Sequence, residues 1–128
     1  MKLSKRQLTI MLLLVMALVL FFQDGEPPYT ETGAASYYAS SLEGNLTSGG
    51  EIYKQDSLTA AHRTLPFGTF LKVENIENGN TVVVKVNDRG PYADDRILDL
   101  SRAAFKQIAP LSVGVIEVRI EEVDSPKP

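Results

Sequence analysis

Apolar and polar positions follow two different rhythms along this chain. At the N-terminus, Lys2, Lys5 and Arg6 lead into Leu8 to Phe22, a run interrupted only by Thr9. The run is apolar on every side, which predicts a helix for export or membrane insertion rather than one face of a soluble core. At 1.5 Å per residue it spans roughly 22 Å, short of the ~30 Å hydrocarbon core of a bilayer, as in the h-region of a signal segment. Its exit, Phe21-Phe22-Gln23-Asp24-Gly25, lacks the small-x-small pattern of a signal-peptidase site. Residues 1–22 are therefore expected to be either a signal peptide or an uncleaved N-terminal membrane anchor, with the rest of the chain outside the cytoplasmic membrane.

After residue 22 the period drops from that of helices to that of strands. Residues 23–32, with Gly25, Pro27 and Pro28 among acids, read as a linker. Residues 33–123 read as one domain of about ninety residues, and 124–128 as a polar tail. Within the domain, Ala34 to Ala39 and Gly68 to Glu74 predict strands. Asn78-Gly79 predicts a hairpin turn, because both residues tolerate positive φ, and Thr81 to Asn87 the returning arm. That arm is nearly continuous in valine, as a strand covered on both faces would be. Val115 to Val123 alternates, with Ile116, Val118 and Ile120 on one side and Glu117, Arg119 and Glu121 on the other. One helix is predicted within the domain, Arg102 to Ile108, N-capped by Ser101 and stopped by Pro110. Short strands with one small helix predict an all-β fold, a compact barrel.

Composition narrows the chemistry. The chain has 128 residues, 44% of them apolar, and a formal charge of −3. Without Lys2, Lys5 and Arg6 the remainder holds 10 basic against 16 acidic residues, or −6, which repels nucleic acid. There is no cysteine, which excludes disulfides, thiolate metal sites, a cysteine nucleophile and a lipid-modified N-terminal cysteine. One histidine makes a zinc site a poor reading, so no metal or cofactor is expected. No Gly-x-Ser-x-Gly elbow and no phosphate-binding glycine loop occur. What remains is carboxylate chemistry, with or without histidine, on a neutral substrate.

Candidate residues crowd into three blocks: Thr59 to Thr69 with His62, Val86 to Tyr92 with Asp88, and Arg96 to Ser101 with Asp99. Each residue also has a plainer reading. His62 before a Pro-Phe-Gly turn suits a structural hydrogen bonder, Asp88 a turn residue before Gly90-Pro91, and Asp99 a buried hydrogen-bonded carboxylate. Asp94-Asp95 reads as a solvated loop. Tyr37 and Tyr38 point to opposite faces of a strand, one to the core and one to a groove.

These blocks, with Gly33-Ala34-Ala35-Ser36-Tyr37-Tyr38 and Leu46-Thr47-Ser48-Gly49-Gly50-Glu51-Ile52-Tyr53, resemble the RlpA (rare lipoprotein A)-like family of peptidoglycan lytic transglycosylases. The resemblance runs from Gly33 to about Val123 and keeps the motifs in the family's order. It implies a six-stranded double-psi β-barrel, a fold shared with expansins. It implies that His62 and Asp88 are the activity-linked pair and that Asp99 lies in the groove. Tyr37, Tyr38, Thr47, Arg89 and Tyr92 are the expected substrate-binding residues. The implied substrate is the glycan strand of peptidoglycan, the product a 1,6-anhydromuramic end formed when the C6 hydroxyl closes on its own anomeric carbon.

On this reading one acid/base serves both proton transfers, and Asp88 needs a raised pKa to do so, with His62 orienting the sugar or tuning Asp88. The cysteine-free sequence departs from the family's lipoproteins, the residues after Val123 are too few for a SPOR domain, and Tyr37 or Tyr38 stands where a tryptophan is common. The expected protein is an extracytoplasmic monomer, secreted or tethered by its N-terminal helix. The alternatives are a non-catalytic expansin-like glycan binder and an inhibitor-like barrel without glycan affinity.

Overall fold

In the computed structural model, which describes residues 2–22, 25–93 and 95–128, six strands follow an N-terminal helix. They are β1 (Thr30–Tyr37), β2 (Thr59–Ala61), β3 (Phe70–Asn75), β4 (Thr81–Asp88), β5 (Arg96–Leu100) and β6 (Ile116–Val123). They close into a barrel in the order β1-β5-β2-β4-β3-β6. Pairs β1/β5 and β2/β4 are parallel and the other four antiparallel, so the chain crosses the barrel rather than meandering around it.

Alternation explains the closure. In β6, Ile116, Val118 and Ile120 are buried while Glu117 and Arg119 face water, and β3 sends Leu71 and Val73 inward by the same rule. Helix α2 (Arg102–Ile108) packs onto the core with Phe105 and Ile108, both fully buried. Each of those two side chains contributes about 1.5–3 kcal/mol by leaving water. Ser101 caps α2, its hydroxyl accepting from the Ala104 N–H at 3.3 Å. At the other end the Asn75 and Asn78 side-chain amides both donate to the Ile108 carbonyl at 2.9 Å, which satisfies an orphan acceptor.

Several expectations shift. β1 begins at Thr30, because Thr30 to Gly33 pair antiparallel with β6 from Glu121 to Val118, so three residues of the expected linker belong to the barrel. Within the rest of that linker, residues 23 and 24 lie outside the described residues. The turn after β3 is wider than a two-residue hairpin: only Gly79 takes positive φ (75°), while Asn78 is held by its side chain. β4 alternates between buried and half-buried positions instead of being covered on both faces. β2 and β5 were not predicted as strands; at 3 and 5 residues they are too short for a periodicity to register.

Helix α1 (Lys5–Phe22) forms over the predicted apolar run, with its described side chains exposed. Among the described residues, no helix is long and apolar enough to cross a membrane.

Candidate active site

Register brings two of the predicted carboxylates onto one rung. Ala61 of β2 pairs with Asp88 of β4 on one side and with Asp99 of β5 on the other, and Asp99 pairs in turn with Ser36 of β1. At ~4.8 Å per strand the Asp88 and Asp99 Cα atoms are about 10 Å apart. A bulge in the β2/β4 ladder produces this alignment, since Ala60 opposes Val86 and Ala61 opposes Asp88, which skips Asn87. Ala61 offers only a methyl group, so the space between the two acids stays open. It forms the floor of a groove of ≈ 460 Å³ whose walls include Tyr37, Tyr38, Arg89, Tyr92 and Arg96. A larger hollow of ≈ 750 Å³, lined by Glu26 to Tyr29 and Glu122 to Asp124, offers no comparable pairing of acid and donor among its lining residues.

Asp88 accepts from three donors. The Tyr38 hydroxyl donates to Oδ2, and the backbone N–H groups of Ser48 and Arg89 donate to Oδ1 at 2.9 Å each. Burial pushes the Asp88 carboxyl up, but these hydrogen bonds outweigh it and leave the pKa below the ordinary value. The expectation of a raised pKa at Asp88 is therefore overturned. Asp99 behaves oppositely: burial raises its pKa, the Arg96 guanidinium at 2.8 Å only partly offsets this, and the negative Asp88 adds to the rise. The Tyr38 hydroxyl is pushed far up, by burial first and then by Asp88, and so remains a donor.

His62 goes elsewhere. Its backbone N–H donates to the Asp88 carbonyl at 3.1 Å, yet its ring is buried, 3% exposed, and turned toward β1. Nδ1 accepts from the Thr64 and Leu65 N–H groups at 3.1 Å, which leaves the proton on Nε2, donating to Glu31 Oε1 at 3.1 Å. The Tyr29 ring closes edge-on at 6.0 Å. The ring thus organises the turn that follows β2.

The other predicted residues divide similarly. Tyr37 leans on Phe105 and donates to the Leu111 carbonyl at 2.8 Å, while Tyr38 stacks on Tyr53 at 4.4 Å and faces Asp88. Thr47 is buried and closes its own loop, its Oγ1 donating to the Glu51 carbonyl at 2.7 Å. Arg89 reaches back to the Leu65 carbonyl at 2.8 Å with its guanidinium over Phe67. Tyr92 is 84% exposed at the groove edge, on a loop braced by Arg63, whose Nε donates to the Pro91 carbonyl at 2.7 Å. Asp95 is exposed, as expected of a solvated loop; Asp94 lies outside the described residues.

Sequence reasoning passed over Ala61, Ser48 and Arg96. Small size at position 61 and a backbone N–H at 48 carry no side-chain signature, and Arg96 becomes meaningful only once β5 is seen to carry both it and Asp99.

Residues 30–120 match a family model described as lytic transglycolase. The chain belongs to this RlpA-like lytic transglycosylase family. The endolytic peptidoglycan transglycosylase RlpA of Vibrio cholerae is 51% identical over 100 residues, which cover 78% of this chain and 38% of that protein. A probable RlpA of Treponema pallidum is 48% identical over 105 residues, 82% of this chain and 33% of the other. The chain thus spans about a third of the length of these RlpA relatives. Among solved structures, a papain inhibitor from Streptomyces superposes with a TM-score of 0.61 at 29% identity, covering 75% of this chain and 96% of its own. A mutant Clavibacter michiganensis expansin in complex with cellohexaose gives 0.61 at 25% identity, over 78% and 53%. The RlpA-like barrel is thus the double-psi fold that the resemblance implied, with one rung across β4, β2 and β5 carrying Asp88 and Asp99.

Proposed function

We propose that this chain is an extracytoplasmic lytic transglycosylase that cleaves the β-1,4 bond between N-acetylmuramic acid and N-acetylglucosamine in peptidoglycan, leaving a 1,6-anhydromuramic end. The observation that carries the reading is the open rung Asp88–Ala61–Asp99, with one carboxyl held ionised and the other held toward its protonated form. Two neighbouring carboxyls pushed apart in pKa are the pattern of an acid and a base acting on one substrate.

The roles follow from the environments. Asp99 donates its proton to the departing glycosidic oxygen. Asp88 takes the proton of the C6 hydroxyl as O6 bonds to C1, and the pair is reset by proton exchange with solvent. The departing oxygen and O6 occupy the same face of the sugar ring, so donor and acceptor must stand on one side of it, as two side chains of one rung do. This division replaces the single acid/base expected at Asp88. Tyr92 and the groove face of Tyr37 contact the sugar. His62, Thr47 and Arg89 act through the backbone they hold, as positioning residues. The catalytic unit is residues 30–123, and residues 1–22 direct it across, or tether it to, the membrane.

Incubation with peptide-free glycan strands tests the reading. Wild type should release anhydromuramic products, and Asp88→Asn and Asp99→Asn should each suppress them. Sedimentation with sacculi without any anhydro product from wild type would instead identify an expansin-like binder, and no sedimentation an inhibitor-like barrel.

A further inference from the structure

Asp88 is the base of the proposed reaction, and the structure suggests what keeps it one. Three donors meet its carboxylate, and only one, the Arg89 N–H, comes from its own strand end. The second comes from the loop at Thr47 to Gly50, through the Ser48 N–H. That loop is pinned in place: the Gly49 N–H donates to the Asn87 carbonyl at 3.0 Å, using the residue that the β4 bulge leaves out of the ladder. Gly49 is required for this approach, because a Cβ there would collide with the Asn87 carbonyl, which is backbone and cannot rotate aside. Pinning Gly49 aims the preceding Ser48 N–H at Asp88 Oδ1. The third donor is the Tyr38 hydroxyl, fixed by its ring stacking on the buried Tyr53, whose own oxygen accepts from the Arg102 N–H.

We infer that Tyr38 and the Gly49-pinned loop form a cradle that fixes Asp88 as the anionic member of the carboxyl pair, with Tyr38 a positioning residue for the base rather than a sugar contact. The inference rests on the proposed role of Asp88. The groups facing Asp88 are few. Tyr38 comes from the end of β1, Ser48 from the loop, and Asp99 from β5 with Arg96 paired to it. The Arg89 guanidinium, although on the next residue, is directed to the carbonyls of His62 and Leu65 and does not neutralise the carboxylate directly. Neutral donors, not a cation, therefore hold the charge. Hydrogen bonds to the carboxylate favour its charged form, so Asp88 stands ionised and ready to accept a proton.

The test is a carboxyl-carbon NMR titration of Asp88 in the intact chain, for wild type, Tyr38→Phe and Gly49→Ala. Tyr38→Phe keeps the ring and its stack on Tyr53 and removes one donor, so the Asp88 midpoint should rise by about one pH unit, the size expected for one hydrogen bond to a charged group. Gly49→Ala should move it the same way by displacing Ser48. In the glycan-strand assay the acid limb of kcat/KM for Tyr38→Phe should move up by the same amount, with KM little changed, which a sugar-stacking role would not produce. An unmoved Asp88 midpoint in Tyr38→Phe overturns the cradle, as does a KM rise with an unmoved pH profile. A shifted midpoint in a protein whose wild type yields no anhydro product leaves the cradle standing and overturns the transglycosylase reading.

Discussion

His62 and Asp88 are joined by a backbone hydrogen bond of 3.1 Å, yet their side chains occupy opposite kinds of environment. The imidazole sits in a closed pocket where both ring nitrogens have protein partners. The carboxylate sits in an open groove, opposite a second acid across the gap left by Ala61. A closed, fully bonded polar group stabilises one conformation. An open one, held by donors but reachable by substrate, is placed for chemistry. Membership of a motif block does not distinguish the two; what each side chain bonds to does.

The contrast is broken most severely at the groove. Asp88→Asn and Asp99→Asn should each lower the rate of anhydro-product formation by about 10²–10⁴-fold, the usual worth of a positioned acid or base, in a discontinuous glycan-strand assay. Circular dichroism should report both variants folded. If His62→Ala loses activity to the same extent while remaining as stable as wild type, the division proposed for the two residues is wrong.

His62→Ala is expected to act through stability instead. It strips the acceptor from two backbone N–H groups and empties a buried site, at a cost of about 2–4 kcal/mol, read by urea denaturation. His62→Asn, which can still offer an acceptor to the turn, should recover part of the loss, and activity should follow the folded fraction.

A smaller effect separates the two acids by sign. Asp88 has a depressed pKa, so it stabilises the fold above the ordinary carboxylate pKa, and that contribution disappears as pH falls through its folded value. Asp99 has a raised pKa, so its contribution is present at low pH and lost as pH rises through its folded value. Near neutral pH, Asp99→Asn should raise Tm and Asp88→Asn should lower it, with both differences shrinking below pH 4. Equal shifts of the same sign in thermal melts would remove the basis for assigning donor and acceptor.

Strands β3 and β6 and the capped helix α2 were legible because each repeats its pattern over 6 to 8 residues, and β4 because a run of valines follows a turn signal. β2 and β5 were not, although they carry the rung that holds the site. Their assignment depends on pairing partners distant in the chain, which period cannot reveal. Of the predicted groove residues, Asp88, Asp99 and Tyr38 meet in space, while Thr47 turns out to brace its own loop. A threonine in a glycine-rich turn reads the same in both roles until its acceptor is known.

Composition and motif order were enough to point to carboxylate chemistry on a small barrel: without cysteine, with one histidine and with no nucleophile elbow, little else was available. Only the tertiary structure pushes the two carboxyls apart, Asp88 below and Asp99 above the ordinary carboxylate value. That difference is set by burial, by the Arg96 guanidinium and by donors from β1 and the Ser48 loop, up to 50 residues away along the chain. A pKa is a free-energy difference between two charge states in one surrounding, and a sequence specifies the surrounding only by folding.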